Sequence, residues 1–372
     1  MKVSLISSAT ALVVALTACG GGGAAAPAAS APVSSAAAKP ASAAASPSAA
    51  ASALAKPAAS TAAAASGSAG ASAGGKLTDL RITATGQDQL PFMAVLQVAI
   101  DKGWFKDAGL NVSLSTGGGG GNTIRAVTTG DADMTIGAPT ASYLAATKES
   151  NLRIIGPWFQ SDDFAWIGPN AVSGPSDLNG KTLGFSSAGS TTELLVKAIA
   201  AKVPGVKTVA VGAMGDNWAA AKSDKIFAGW SMHPYTNERE TKDGAKIDVK
   251  AIDYVPDFVA DMVMVNTDFA KKNPDAVTSF WKVAQKANDY VVNDTHNAAA
   301  DIGKAIKTDA DIVEAGLKAT PDFKNAYNIK VNTKALNATA DLMVKAGQVD
   351  KAPDWKTLID QQYLPTEART SF

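Results

Sequence analysis

The chain carries 34 basic and 34 acidic side chains over 372 residues, with one cysteine and two histidines. Balanced charge gives no electrostatic footprint for nucleic acid or an acidic membrane face, and one cysteine excludes an internal disulfide or a thiolate metal cluster. The length admits one large domain or two lobes.

Lys2 gives a short basic start, and Leu5 to Leu16 is an apolar stretch of about a dozen residues, the size of a signal-peptide core and too short to span a bilayer. It ends in Leu16-Thr17-Ala18-Cys19-Gly20, which resembles the lipobox of bacterial lipoproteins. That resemblance implies cleavage before Cys19, diacylation of its thiol and anchorage on the extracytoplasmic side of a membrane. A plain secretory signal that happens to contain a cysteine is the alternative. Residues 20–75 are nearly all Ala, Ser, Gly and Pro, with Lys39 and Lys56 the only charges. Such a segment lacks the apolar bulk to offset chain entropy and is expected to be a disordered tether, its ends on the order of 40 Å apart. Without Lys2, Lys39 and Lys56, the part from Lys76 onward holds 31 bases against 34 acids.

In that part, Leu80 to Thr85 alternates like a strand, and Pro91 opens a helix that Gly103 stops. Asn111 to Ser115 reads as a strand, followed by the glycine run Gly117 to Gly121 and a helix from Asn122 to Thr129. Asp133 to Ile136 is a short strand ending in Gly137-Ala138-Pro139-Thr140 before another helix. A second unit of the same kind follows Phe164 to Gly168. It has strands at Lys181 to Ser186 and Val206 to Val211, a helix from Glu193 to Lys202 and another from Trp218. Ile226 to Trp230 leads into Ser231-Met232-His233-Pro234-Tyr235, Phe258 to Asn266 reads as a buried strand, and the chain is helical from Pro274. Alternating strands and helices predict an α/β architecture with mainly parallel sheets flanked by helices, whose ligands sit where helix N-termini meet strand C-termini. Asn122 and Pro139 recur in role and spacing as Asn217 and Pro234, a faint internal repeat.

Several segments could bind a ligand. The glycine run could cradle an anion on free N–H groups, or could simply connect two elements. Ser186 to Thr192 concentrates hydroxyls at a helix start; one serves as the cap, and the surplus, with Gly189 allowing close approach, favours a binding role. His233, beside Pro234 and Tyr235, is a ligand donor or a loop residue; His296 reads as surface. Trp158, Trp218 and Trp230 lie near element ends, as pocket wall or as core. Neither histidine has a metal partner at a suitable spacing, and no nucleophile–base set or paired acids are seen, so no metal, cofactor or catalytic residue is expected.

Four blocks, Ala99 to Leu114, Gly117 to Thr140, Asp177 to Glu193 and Asp268 to Phe280, together resemble the solute-binding proteins of the nitrate, sulfonate, taurine and thiamine-pyrimidine group of ABC transporters. The resemblance implies a two-lobed periplasmic-binding-protein-like fold of type II with two crossover strands. The expected divisions are a signal peptide at 1–19, the tether at 20–75, lobe 1 at 76–170, lobe 2 at 171–266, and C-terminal helices returning to lobe 1 at 267–372. The implied ligand contacts are Gln87, Asp88 and Phe92; Asn122 and Thr123; Pro139 and Thr140; Ser187, Gly189, Ser190, Thr191 and Thr192; Asp216, Asn217 and Trp218; and Trp230, His233 and Tyr235. The implied partners are a small polar, anionic or heteroaromatic ligand, the permease and ATPase subunits, and the membrane through Cys19, with the binding protein itself a monomer. The turn Ser223 to Ala228 departs from the group by placing Phe227 where Asp133 stands in the first unit, which puts the second-unit pocket loop in question. A surface sensor of the same fold is a rival reading. A pyrimidine-synthase-like enzyme is another, opposed by the lack of any cysteine after Cys19.

Overall fold

Two five-stranded sheets organise the chain in a computed structural model that describes residues 76–116 and 120–372. The signal segment, Cys19, the tether and residues 117–119 of the glycine run lie outside the described residues.

The strands are β1 (Thr78–Ala84), β2 (Leu110–Thr116), β3 (Met134–Gly137), β4 (Leu152–Phe159), β5 (Phe164–Gly168), β6 (Thr182–Phe185), β7 (Lys207–Ala210), β8 (Ala228–Met232), β9 (Lys246–Lys250) and β10 (Asp261–Asn266). The first sheet has the order β2-β1-β3-β10-β4, the second β7-β6-β8-β5-β9. The two orders are the same pattern; the fourth strand is β10 in the first sheet, added from beyond the second, and β5 in the second, where it opens a run of five consecutive strands. β5 follows β4 directly yet pairs with β8 and β9; β10 follows β9 yet pairs with β3 and β4. These inserted strands run antiparallel to their neighbours, while β1, β2 and β3 are mutually parallel, as are β6, β7 and β8. The sheets are therefore mixed, with four strands of five sharing a direction, and the chain crosses between them twice.

The helices are α1 (Pro91–Asp101), α2 (Trp104–Asp107), α3 (Gly120–Thr128), α4 (Pro139–Lys148), α5 (Thr191–Lys202), α6 (Met214–Lys222) and α7 (Tyr235–Asp243). Beyond the second crossing come α8 (Thr267–Lys272), α9 (Pro274–Asn293), α10 (Thr295–Ile306), α11 (Ala310–Ala319), α12 (Phe323–Ala326), α13 (Thr333–Lys345) and α14 (Trp355–Leu358). Proline opens α1, α4 and α9 at a position where a missing N–H costs nothing. α9 buries Val277, Phe280, Trp281 and Ala284 at helical spacing against the first sheet's core. No described helix is long and apolar enough to cross a membrane.

β4 and β9 are absent from the sequence reading, for different reasons. β4 contains Gly156-Pro157, which breaks a strand pattern; as an edge strand it tolerates the missing donor. β9 is a short, lysine-flanked edge of five residues, with a register shift where it pairs with β5. The turn carrying Phe227 leads into the start of β8, as the turn carrying Asp133 leads into β3. The N–H of Asp133 donates to Arg81 O of β1 (2.8 Å), and that of Phe227 to Thr182 O of β6 (2.8 Å). Asp133 clasps the Arg81 guanidinium at 2.7 and 3.0 Å, whereas Phe227 carries the Lys181 ammonium 5.0 Å above its ring. Both turns lie at the strand ends remote from the helix starts. The departure at Phe227 therefore does not reach the predicted pocket, contrary to expectation.

Candidate functional site

The α5 start is the most heavily bonded of the predicted segments. Ser190 is the N-cap, its Oγ accepting the Glu193 N–H at 3.1 Å, a contact worth about 1 kcal/mol. The Thr192 hydroxyl meets the Ser186 N–H (2.9 Å), the Ser186 hydroxyl (2.8 Å) and the Ser190 hydroxyl (3.0 Å). Thr191 donates to Ala260 O at 3.0 Å, tying the helix to the second crossover. The expected surplus of hydroxyls is thus largely consumed internally, and Ser187 is the exposed one. What remains for a ligand are first-turn N–H groups, orphans of any helix start.

Glu193 completes this start. Its carboxylate accepts the Gly189 N–H (2.7 Å), the Lys197 ammonium (3.0 Å) and the Gln348 amide (3.0 Å). Burial pushes its pKa up, but these three donors outweigh that and hold it below the usual carboxylate value. Gln348 in turn accepts from the Thr140 hydroxyl at 2.6 Å. Thr140 sits in the first turn of α4, beside the first sheet, and Glu193 in the first turn of α5, beside the second. One amide therefore joins two helix starts from the two sheets.

The other predicted residues divide by what they touch. Trp230 is 8% exposed, its indole donates to Gly212 O at 2.9 Å and its ring lies 6.4 Å from that of Phe164. His233 faces Asp163 of the first crossover at 3.8 Å, with Asn237 on its other ring nitrogen. Burial lowers the His233 pKa, while Asn237 acts in the opposite direction. Asp163 is pushed well up by burial, against the bond it accepts from Thr320 at 3.2 Å. Tyr235 is half-buried with the Arg239 guanidinium 5.0 Å from its ring. Pro139 and Thr123 are buried, and Asp88 and Asp216 are exposed. Asn122 is exposed and accepts from Arg125 at 3.0 Å. The Gln87 amide is spent on the end of β2, donating to Ser115 O (2.8 Å) and accepting from Thr116 (3.1 Å).

Three residues pack into the interior. Phe92 is buried, stacked on Phe159 with centroids 4.2 Å apart. Asn217 was expected in the loop before α6 and Trp218 as its first residue, but α6 begins at Met214, four residues before Trp218, so both fall inside the helix. Asn217 is fully buried, its amide donating to Gly212 O and Ala213 O, and a Cβ on Gly229 would lie 2.6 Å from that of Asn217. Trp218 packs in a satellite cluster with Ala165, Ile167 and Ala245. Sequence reasoning missed Glu193, Gln348 and Asp163. The Ser190-x-x-Glu193 capping-box pattern could have marked the first; nothing local marks the other two.

The arrangement offers polar hydrogen bonding where two helix starts are joined through one amide. Among the described residues, no group of three His, Cys, Asp or Glu side chains is placed to hold a metal. A Bacillus subtilis (strain 168) protein assigned as an aliphatic sulfonates-binding protein is 32% identical over 155 residues, 40% of this chain and 45% of that relative, so less than half of its length is matched. The periplasmic aliphatic sulphonate binding protein SsuA of Escherichia coli superimposes with a TM-score of 0.62 at 16% identity, covering 79% of this chain and 96% of its own. The desulfurization enzyme DSZB shares the fold at a TM-score of 0.56 and 15% identity, over 76% of this chain and 97% of its own. The family model described as NMT1/THI5 like matches residues 91–298, more than half of the chain. The sequence belongs to the NMT1/THI5-like family.

Proposed function

We propose that this protein is the extracytoplasmic solute-binding component of an ABC importer, and that its ligand is a small organic anion, a sulfonate first among them. The observation that carries this is the meeting of the α4 and α5 starts through Thr140, Gln348 and Glu193. N–H groups and peptide dipoles at helix starts favour negative charge, and here two such starts come from separate sheets joined by two crossovers. Trp230 would cover the less polar body of the ligand. The sulfonate assignment leans on the relative and the structural neighbour named above; carboxylates, nitrate-like oxyanions and flat heteroaromatics are the competitors.

Binding is favoured over catalysis because the chain's one cysteine is Cys19, and Thr140, Ser190, Thr192, Glu193 and Gln348 are already paired with one another. In this reading a permease and an ATPase receive the ligand, and Cys19 carries the lipid that holds the protein at the membrane. Labelling cells with a fatty acid should tag the wild type and miss Cys19→Ser. Equal detergent partitioning of the two would remove the anchor from the proposal.

The ligand class is tested by thermal shift with alkanesulfonates, small carboxylates, nitrate and pyrimidines. A sulfonate at a hundredfold excess over its dissociation constant should add about 2.7 kcal/mol. Thr140→Val, which breaks the bond from Thr140 to Gln348, should then weaken the best binder by roughly two- to tenfold, the worth of one neutral hydrogen bond that holds the two helix starts. A pyrimidine shifting the melt while every sulfonate leaves it unchanged would overturn the assignment.

A further inference from the structure

Gln348 belongs to no motif and to none of the ligand contacts implied by the family resemblance, yet its side chain is bonded to both the α4 and the α5 start. It lies just past the C-terminus of α13, where Gly347 takes a left-handed φ of 66°. Its own N–H donates to Met343 O at 3.0 Å, so its backbone is fixed by the helix end. α13 is itself held to the second crossover, since the Val259 N–H donates to Thr339 Oγ1 at 3.0 Å. The side chain is therefore launched from a rigid base.

Its orientation follows from chemistry. The Glu193 carboxylate is ionised and only accepts, so the amide nitrogen must face it. The amide oxygen must then face Thr140, which is left to donate. Glu193 is 13% exposed and is held on its other side by Gly189 and Lys197. Each group in the relay has one role open to it, and the relay runs without a break from α4 to α5.

We propose that Gln348 is a positioning residue of the binding site: a latch that sets the spacing of the α4 and α5 starts before any ligand arrives. The inference rests on the reading of these helix starts as the ligand site, but its test uses no ligand. In the full-length protein without added solute, Gln348→Ala should speed amide exchange at Gly189 by about tenfold or more and enlarge the radius of gyration measured by X-ray scattering. Gln348→Glu at neutral pH sets a second carboxylate against Glu193 and should enlarge it further. Thr140→Val, which cuts the other end of the relay, should match Gln348→Ala in scattering. Circular dichroism and the melting temperature report whether each variant is folded. Folded Gln348→Ala and Thr140→Val proteins with wild-type scattering and wild-type exchange at Gly189 would overturn the latch. If the variants open as expected while no sulfonate binds the wild type, the ligand assignment fails and the latch stands.

Discussion

Phe280→Ala should cost about 3–5 kcal/mol of stability, the range for removing a buried aromatic ring whose site cannot collapse. Phe280 is fully buried on α9, and its ring centre lies 5.3 Å from Trp281, 6.1 Å from Trp158 and 6.3 Å from Phe105. Those rings come from α9 itself, from β4 and from α2, so the void would open where three elements meet. Rings are stiff, and backbone shifts in three elements would be needed to fill it. Urea titration followed by tryptophan fluorescence measures the effect. Phe280→Leu, which keeps most of the volume, should lose clearly less. A loss under about 1 kcal/mol for the alanine variant would mean that the site relaxes freely and that the ring is not a keystone of this core.

Asp261 should give the protein a pH-dependent weakness. It opens β10 at the second crossover, and burial pushes its carboxyl from the ordinary 3.8 up to about 8. The folded state thus keeps a proton that the unfolded chain gives up. Stability from this group is complete below the unfolded value near 4 and is lost as pH rises through about 8, at about 1.4 kcal/mol per pH unit between the two. Asp261→Asn keeps the shape without the ionisation. It should match wild type near pH 4 and exceed it by several kcal/mol at pH 8, an order-of-magnitude expectation. Denaturant midpoints at three pH values decide the matter: parallel profiles for the two proteins would show that Asp261 ionises freely in the folded state. Asp248, raised to about 7 by burial, should add a slope of the same sign over a narrower pH range.

Much of the architecture is legible in the sequence because it is written in local signals. β1 to β3 and β6 to β8 alternate or run apolar between glycine-rich turns, and proline marks the starts of α1, α4 and α9. The repeat hinted at by Asn122–Pro139 and Asn217–Pro234 corresponds to α3–α4 and α6–α7, which hold equivalent places around the two sheets. The repeat does not extend to roles: Asn122 is exposed and Asn217 is buried. The site is less legible because its contacts are long-range. Gln348 meets Thr140 and Glu193 across separations of 208 and 155 residues, and no local pattern encodes such a meeting. Surplus hydroxyls at Ser186 to Thr192 look free in one dimension and are bonded to each other in three. The mixed pairing escaped for a related reason: an apolar run such as Asp261 to Asn266 reads alike in either direction.

The return of β10 to the first sheet also governs how the protein can be made. β4 is an apolar segment whose ladder partner is β10, and β10 begins about a hundred residues later in the chain. A ribosome adding about 5–20 residues per second delivers that partner roughly 5–20 s after β4 has emerged. Until then the first sheet lacks its closing strands, and Leu152 to Phe159 waits as an unpaired, hydrophobic edge of the kind that adds to other chains. The first sheet cannot be finished from its own contiguous stretch of sequence, so every nascent copy passes through an interval in which it depends on being kept apart from its neighbours.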